Sequence, residues 1–176
     1  MSADSGGATR PQSGSAWWAD KTRQVVAHVR ARVGPAERAE LAEWLRPAEL
    51  ALFDAMHVAD RRHGLDVVAW LRDDDIDDRD VLVAGLLHDC AKGNTGLGPR
   101  IAYSLGERYG PWAWRLAALV PGWRAAIDRL RGHSEASARL AANAGCSPRT
   151  VELIRNQAQP VDPDAGERLR LADEAS

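Results

Sequence analysis

The segment from Val81 to Gly93 constrains the fold most, because a wholly apolar run in it leads directly into His88 and Asp89. Leucine and valine recur four residues apart between positions 82 and 87, which predicts a buried helix rather than a strand. The glycine at the end of the segment predicts the end of that helix. Gly85 lies one turn before the polar pair, where the missing side chain is expected to leave space beneath it. Such a helix end is suited to form an ion pocket inside a helical bundle.

The remainder of the chain carries helix signals, so we expect an all-α fold of about ten short helices. Proline or serine marks several expected first turns, and neither sustained alternation nor an Asn-Gly or Asp-Gly hairpin signal is present. The sequence predicts a disordered tail over residues 1–15 and a single helical domain over residues 16–176. The acidic stretch at 73–80 lacks the glycine and final glutamate of a calcium loop, and we interpret it as a solvated turn.

Charge and cysteine content exclude several classes of function. The formal net charge is −2 and no basic stripe is present, so a dedicated nucleic-acid-binding protein is not expected. Cys90 and Cys146 are too few for a disulfide framework, which indicates a cytoplasmic location. No signal segment and no run of membrane-spanning length are present, so no membrane association is expected. The adjacent Trp17 and Trp18 are candidates for a homodimer contact.

Two further residues are placed to join the His-Asp pair. His63 shares a helix face with apolar residues, so its ring is expected to point into the core. Asp60, three residues earlier, is expected to accept the second ring N–H of His63, as carboxylates do beside metal-bound histidines. Asp173 lies on the apolar stripe of the last helix, where a carboxylate is costly unless it is paired or metal-bound. The alternatives are an ordinary core histidine bonded to a carboxylate, and a solvated C-terminus.

The order His63, His88, Asp89, Asp173 resembles the H…HD…D pattern of the HD superfamily of metal-dependent phosphohydrolases, which fold as helical bundles. The resemblance covers about residues 50–175. Its most specific segments are Asp60–Leu65, Leu86–Gly93 and Leu171–Asp173. In that family the matching residues hold a divalent ion, so the resemblance implies that these four residues do so here.

Some HD proteins hold two ions, using two extra histidines between the HD pair and the final aspartate. His133 is placed for the first of these positions, whereas the second position offers Asn156 and no histidine. We therefore expect one ion, with His133 and Asn156 as candidates to contact substrate or a second ion. The alternative for His133 is a histidine that caps the start of its helix.

The residue types around the expected ion suit a phosphorylated substrate. Two imidazoles and two carboxylates favour Mn, Fe, Co, Ni or Zn and, less well, Mg. The resemblance places Lys92 near a substrate phosphate, although it is also a favourable cation for a helix C-terminus. Arg61 and Arg62 flank His63 and are candidates to balance phosphate charge, or else part of a solvated face.

The function expected from these residues is hydrolysis of a phosphomonoester or phosphodiester by metal-activated water. The substrate would be a nucleotide or another small phosphorylated molecule, with Asp89 and Lys92 as the catalytic residues. The alternatives are a metal- or nucleotide-binding regulatory module without turnover, a di-iron oxygenase, and a helical interaction protein without metal.

Overall fold

The computed structural model describes residues 31–176, apart from the side chain of Glu107. The predicted tail over 1–15 and the proposed contact of Trp17 and Trp18 lie outside this part of the chain. Within it the secondary structure is ten α-helices with no strand, which confirms the predicted all-α fold of about ten short helices. The helices are α1 (Pro35–Trp44), α2 (Pro47–Ala55), α3 (Val58–Asp73), α4 (Arg79–Leu87), α5 (Leu97–Tyr109), α6 (Pro111–Ala117), α7 (Trp123–Arg131), α8 (His133–Asn143), α9 (Pro148–Arg155) and α10 (Ala165–Ala175).

Side-chain caps fix the starts of α4 and α9 and join them to each other. Asp78 precedes α4, and its Oδ1 accepts the backbone N–H of Asp80 at 2.9 Å. Ser147 precedes α9, and its Oγ accepts the backbone N–H of Thr150 at 3.0 Å. The same Ser147 hydroxyl donates to Oδ1 of Asp80 at 2.8 Å. Asp78 therefore caps α4, and Asp80 in the first turn of α4 ties this helix to α9.

The central helix is α4, in which every residue from Val81 to Leu87 is buried. It packs against α3, α9 and α10. Phe53, Leu71, Ile154 and Leu169 are among the largest fully buried side chains around it. This packing fixes the C-terminal end of α4 beside α3 and α10.

Two glycines allow α3 and α4 to pack closely. A Cβ on Gly64 would lie 2.5 Å from the carbonyl oxygen of Leu86, so only glycine fits there. A Cβ on Gly85 would lie 3.0 Å from the side chains of both Val67 and Leu71. The prediction that Gly85 leaves space beneath the polar pair is therefore wrong, because these side chains from α3 fill that space.

Helices α5, α6 and α7 pack on one another beside this core. The indole of Trp114 in α6 donates to the carbonyl of Tyr103 in α5 at 3.0 Å. The guanidinium of Arg131 in α7 lies 4.9 Å from the centroid of the same indole. Only Gly132 separates α7 from α8, so this packing sets the position of His133 at the start of α8. Across residues 31–176, no helix has the length and apolarity required to cross a bilayer.

Candidate metal centre

His63, His88 and Asp173 meet at the point where α3, the end of α4 and α10 come together. Oδ1 of Asp173 lies 2.8 Å from Nε2 of His63 and 3.2 Å from Nε2 of His88. One ligand atom from each of the three residues lies within 4.8 Å of the others. The two imidazole rings meet edge to face, with their centroids 5.2 Å apart. Residues that are 110 positions apart in the chain thus present two nitrogens and a carboxylate to one point.

His88 turns an unpaired nitrogen toward this point. Its Nδ1 lies 2.8 Å from the carbonyl oxygen of Gly85. Because a carbonyl only accepts, Nδ1 carries the proton and donates, and Nε2 keeps its lone pair in the neutral ring. The side chain is 1% exposed, and Nε2 has no hydrogen-bond partner among the described residues. Once Nε2 has no proton, the ring has a backbone bond from one nitrogen and a lone pair on the other, which is the arrangement found in metal-bound histidines.

Charge around His88 determines its protonation before a cation binds. Burial lowers the pKa of His88, but the carboxylates of Asp89 and Asp173 outweigh it and raise this pKa to about 9. Burial also raises the pKa of both carboxyl groups, yet the positive charge of His88 holds each well below its usual range. At neutral pH the imidazolium of His88 and the ammonium of Lys92 therefore balance the two carboxylates together. A divalent cation would take over this role and displace the proton.

The second half of the pair, Asp89, lies between three positively charged or titratable side chains. Its Oδ2 accepts from Nζ of Lys92 at 2.5 Å and lies 3.4 Å from Nε2 of His88. Its Oδ1 is buried, has no hydrogen-bond partner in the described chain and lies 3.5 Å from Nε2 of His133. This carboxylate links the cluster of His63, His88 and Asp173 to Lys92 and His133. It also leaves a second buried ligand atom without a partner.

The His-Asp pair lies in a turn rather than inside the helix. The sequence predicts that the helix continues to Gly93, whereas α4 ends at Leu87. The backbone N–H of Cys90 bonds to the carbonyl of Leu87 at 3.0 Å, which tightens the chain after the helix. The hydroxyl of Ser137 in α8 accepts the next N–H, that of Ala91, at 3.0 Å. Tertiary contact with α8 thus ends the helix before its glycine.

His133 is present beside the cluster, but its partner is Gln157 rather than Asn156. Nδ1 of His133 donates to the carbonyl of Leu130 at 2.6 Å, so Nε2 accepts from the amide of Gln157 at 2.9 Å. The same amide donates to Oγ of Ser134 at 2.9 Å. Burial lowers the pKa of His133, which favours the neutral ring that these bonds require.

The structure brings Gln157 rather than Asn156 beside His133, and the role of Asn156 stays a prediction. Asn156 instead lines a separate cavity of about 260 Å³ with Arg149 and Glu152 of α9. The physical reason is that α9 ends at Arg155, and the turn that follows it directs Gln157 inward. The sequence signal was the polar pair at 156 and 157, but the spacing alone does not decide which member faces His133.

The predicted hydrogen bond from His63 to Asp60 is not formed. Asp60 is buried, and its two oxygens accept from the two terminal nitrogens of Arg100, each at 2.8 Å. Arg100 also donates to the carbonyl of Thr95 at 3.2 Å and to that of Gly93 at 3.3 Å. Asp60 therefore anchors the loop that follows the His-Asp pair to α3, and it does so through Arg100 rather than through the histidine.

Neither arginine beside His63 is directed at the cluster by any described contact. Arg62 is paired with Glu37 at 2.5 Å and with Asp66 at 2.8 Å, so carboxylates already neutralise its charge. Nε of Arg61 is buried and lacks a hydrogen-bond partner among residues 31–176. These ion pairs agree with the alternative of a solvated face, and the role of Arg62 in phosphate binding stays a prediction.

Part of the cluster is exposed to solvent. The side chains of His63 and Asp173 are 26% and 41% exposed, and that of Lys92 is 23% exposed. His88 and Asp89 lie beneath them, at 1% and 2%. A small ligand can therefore reach the ligand atoms while the walls of the site exclude bulk water.

The donor set fits a divalent cation of the first transition series. It combines imidazole nitrogens and carboxylate oxygens, and two of its buried atoms, Nε2 of His88 and Oδ1 of Asp89, lack hydrogen-bond partners in the described chain. Comparison of the chain with protein-family models, curated proteins and solved structures finds no match in any of the three. The chemistry of the site is therefore inferred from the residues that form it and not from a matched protein.

Proposed function

We propose that the protein is a metal-dependent phosphohydrolase with one divalent cation, held by His63, His88, Asp89 and Asp173. The observation that carries this proposal is the position of Oδ1 of Asp173, 2.8 Å and 3.2 Å from the Nε2 atoms of the two histidines. The buried Nε2 of His88, which lacks a hydrogen-bond partner in the described chain, supports it further. The resemblance to the HD superfamily in the order of these residues points to the same chemistry.

The reaction is hydrolysis of a phosphoester, in which water adds to phosphorus and the P–O bond to the leaving group breaks. The leaving oxygen receives a proton, so the products are an alcohol and a phosphate or, from a diester, an alcohol and a phosphomonoester. When bound, the cation supplies Lewis acidity, which acidifies a water molecule and neutralises charge on a phosphoryl oxygen. The imidazole ligands favour Mn, Fe, Co, Ni or Zn over Mg.

The side chains around the ligand atoms have separate parts in this reaction. Lys92 keeps hydrogen-bond donors beyond the one given to Asp89, and its ammonium would hold phosphoryl oxygens beside the cluster. Asp173 is partly exposed, so its second carboxylate oxygen is available to orient the attacking water and accept its hydrogen. Asp89 fixes Lys92 next to the point where the histidines meet. Each part uses a charge or a lone pair that the described contacts leave available.

Two contacts favour one cation over two. The amide of Gln157 engages the lone pair of His133, and the ammonium of Lys92 lies against Asp89. A positive charge and an occupied imidazole oppose a second ion at this place. The same contacts argue against a di-iron oxygenase, which requires two irons. A regulatory module without turnover would bind metal and nucleotide but release no product.

The test is turnover of a panel of chromogenic phosphoesters with Mn²⁺, Co²⁺ and Ni²⁺ on protein purified without added metal. Elemental analysis of the same sample reports the native ion. We expect His88→Ala and Asp89→Ala to lose both the metal and the turnover, while Asp77→Ala, an exposed aspartate in the α3–α4 turn, keeps both. Equal rates in the wild type, H88A and D89A would refute the proposal.

A further inference from the structure

Arg129 lies between two segments that build the candidate metal centre. Gly93 follows Lys92 and has a φ of +63°, and a Cβ placed on it would lie 3.7 Å from Cδ and 3.8 Å from Nη1 of Arg129. Four residues after Arg129, His133 brings its Nε2 within 3.5 Å of Asp89. Arg129 thus lies beside the residue that follows Lys92 and four residues before His133.

The charge of Arg129 is not neutralised by any residue between 31 and 176. Its side chain is exposed, and it makes no hydrogen bond or ion pair with residues 31–176. Other arginines near the site are already bound to carboxylates, Arg62 to Glu37 and Arg100 to Asp60. Arg129 therefore retains its full set of donors, in the planar arrangement that binds phosphate oxygens in pairs.

We infer that Arg129 binds a second phosphate of the substrate, next to the phosphoryl group that is attacked. This inference rests on the proposed function, in which the cation and Lys92 hold the attacked phosphoryl group. Because the side chain of Arg129 lies beside Gly93 and has no described contact with Lys92, Asp89 or the histidines, we assign its guanidinium to a neighbouring phosphate rather than to the attacked one. The substrate class is then a phosphoester with a second phosphate linked to the attacked one, such as a nucleoside diphosphate, rather than a simple monophosphate. Water would add to the phosphorus that is esterified to the sugar, the P–O bond to the sugar would break, and the nucleoside and pyrophosphate would be released.

The test compares AMP and ADP, which differ by one phosphate, as ligands of Mn²⁺-loaded protein. Calorimetric titrations are run without excess Mn²⁺, at low temperature, and the metal content is measured afterwards to check that the ion stays bound. We expect wild-type protein to bind ADP at least about tenfold more tightly than AMP. In Arg129→Ala the ratio of ADP affinity to AMP affinity should fall to about one, and the affinity for AMP should change by less than about twofold. Arg129→Lys should keep part of the ratio, because it retains the charge without the paired donors.

Arg124→Ala is the matched control, since Arg124 is also exposed on α7 and has no described contact with the loop after Lys92. R124A should keep both the wild-type ratio of ADP to AMP affinity and the wild-type Tm. R129A should also keep the wild-type Tm. Equal binding of AMP and ADP by wild-type protein, or one ratio shared by R129A and R124A, would overturn the inference while leaving the metal centre intact. A wild-type protein that takes up no Mn²⁺ would instead overturn the proposed function on which the inference rests.

Discussion

Gln157 donates a side-chain amide hydrogen to Nε2 of His133 across 2.9 Å. His133 donates its single ring N–H, on Nδ1, to the carbonyl of Leu130, so neither ring nitrogen is left for a cation. On the other side of Asp89, the ammonium of Lys92 already neutralises Oδ2. A neutral amide and a fixed positive charge therefore occupy the place where a second ion would need ligands.

Replacing this amide tests how many ions the site holds. Gln157→His should raise the metal content from about one toward two ions per chain, because it adds a second imidazole beside His133 and Asp89. The measurement is elemental analysis after dialysis against Mn²⁺ or Co²⁺. Asn156→His is the matched control and should leave the content at about one, since Asn156 lines a different cavity. A second ion in N156H but not in Q157H would contradict the geometry described for α9.

Metal binding should depend on pH through His88. The pKa of this residue is raised to about 9, so its ring is protonated at neutral pH in the metal-free protein. A cation must displace that proton, and the apparent Mn²⁺ affinity should rise about tenfold per pH unit between about pH 7 and 8.5. Above pH 9 the ring is already neutral and the rise should level off. Calorimetry in buffers of different ionisation enthalpy measures the released proton, and a pH-independent affinity would argue against His88 as a ligand.

Gly64 is expected to tolerate no side chain. Gly64→Ala would place a Cβ 2.5 Å from the carbonyl oxygen of Leu86, so α3 and α4 would have to separate. The cost should be about 3 kcal/mol in the free energy of unfolding, the upper part of the range for overpacking. Gly132→Ala is the control, because its Cβ would meet only ordinary contacts at 3.6 Å and its φ is −103°. Urea denaturation of both variants should show a large loss for the first and a small change for the second.

The ion pair of Arg100 and Asp60 should stabilise the loop after Lys92 only while both partners are present. Arg100→Met leaves a buried carboxylate without its partner and should cost about 3–5 kcal/mol in the free energy of unfolding. The double variant with Asp60→Leu removes both charges and should recover much of that loss. Chemical denaturation of the two single variants and the double variant gives the coupling energy. An unchanged free energy of unfolding in R100M alone would show that the ion pair does not hold the loop.

The features of the site that depend on local sequence pattern could be predicted from the sequence. The apolar run from Val81 to Leu87 predicts a buried helix in any fold, because no face of it is polar. The periodicity around His63 and Asp173 similarly indicates that both side chains turn toward a core. Their meeting at 2.8 Å is the geometric outcome that such inward-facing groups produce when their helices pack on one central helix.

The parts that the sequence did not predict depend on tertiary contacts. Arg100 reaches Asp60 from 40 positions away, and no local pattern distinguishes it from the chain's other arginines. The choice of Gln157 over Asn156 depends on the residue at which α9 ends, and helix ends are the least certain feature of a pattern. The early end of α4 likewise depends on a hydrogen bond to Ser137, which lies in another helix.

The contact between Gly64 and the carbonyl of Leu86 has a consequence for ion selectivity. It lies one residue from His63 and two from His88, so the main chains that carry both imidazoles cannot move closer or turn freely. Calcium takes six to eight oxygen ligands at about 2.3–2.6 Å, and a centre with two imidazoles offers too few oxygens for it. Smaller ions that bind imidazole nitrogen at about 2.0–2.1 Å match the donors present. The close packing of two helices should thus discriminate against calcium, even where calcium is the more abundant ion.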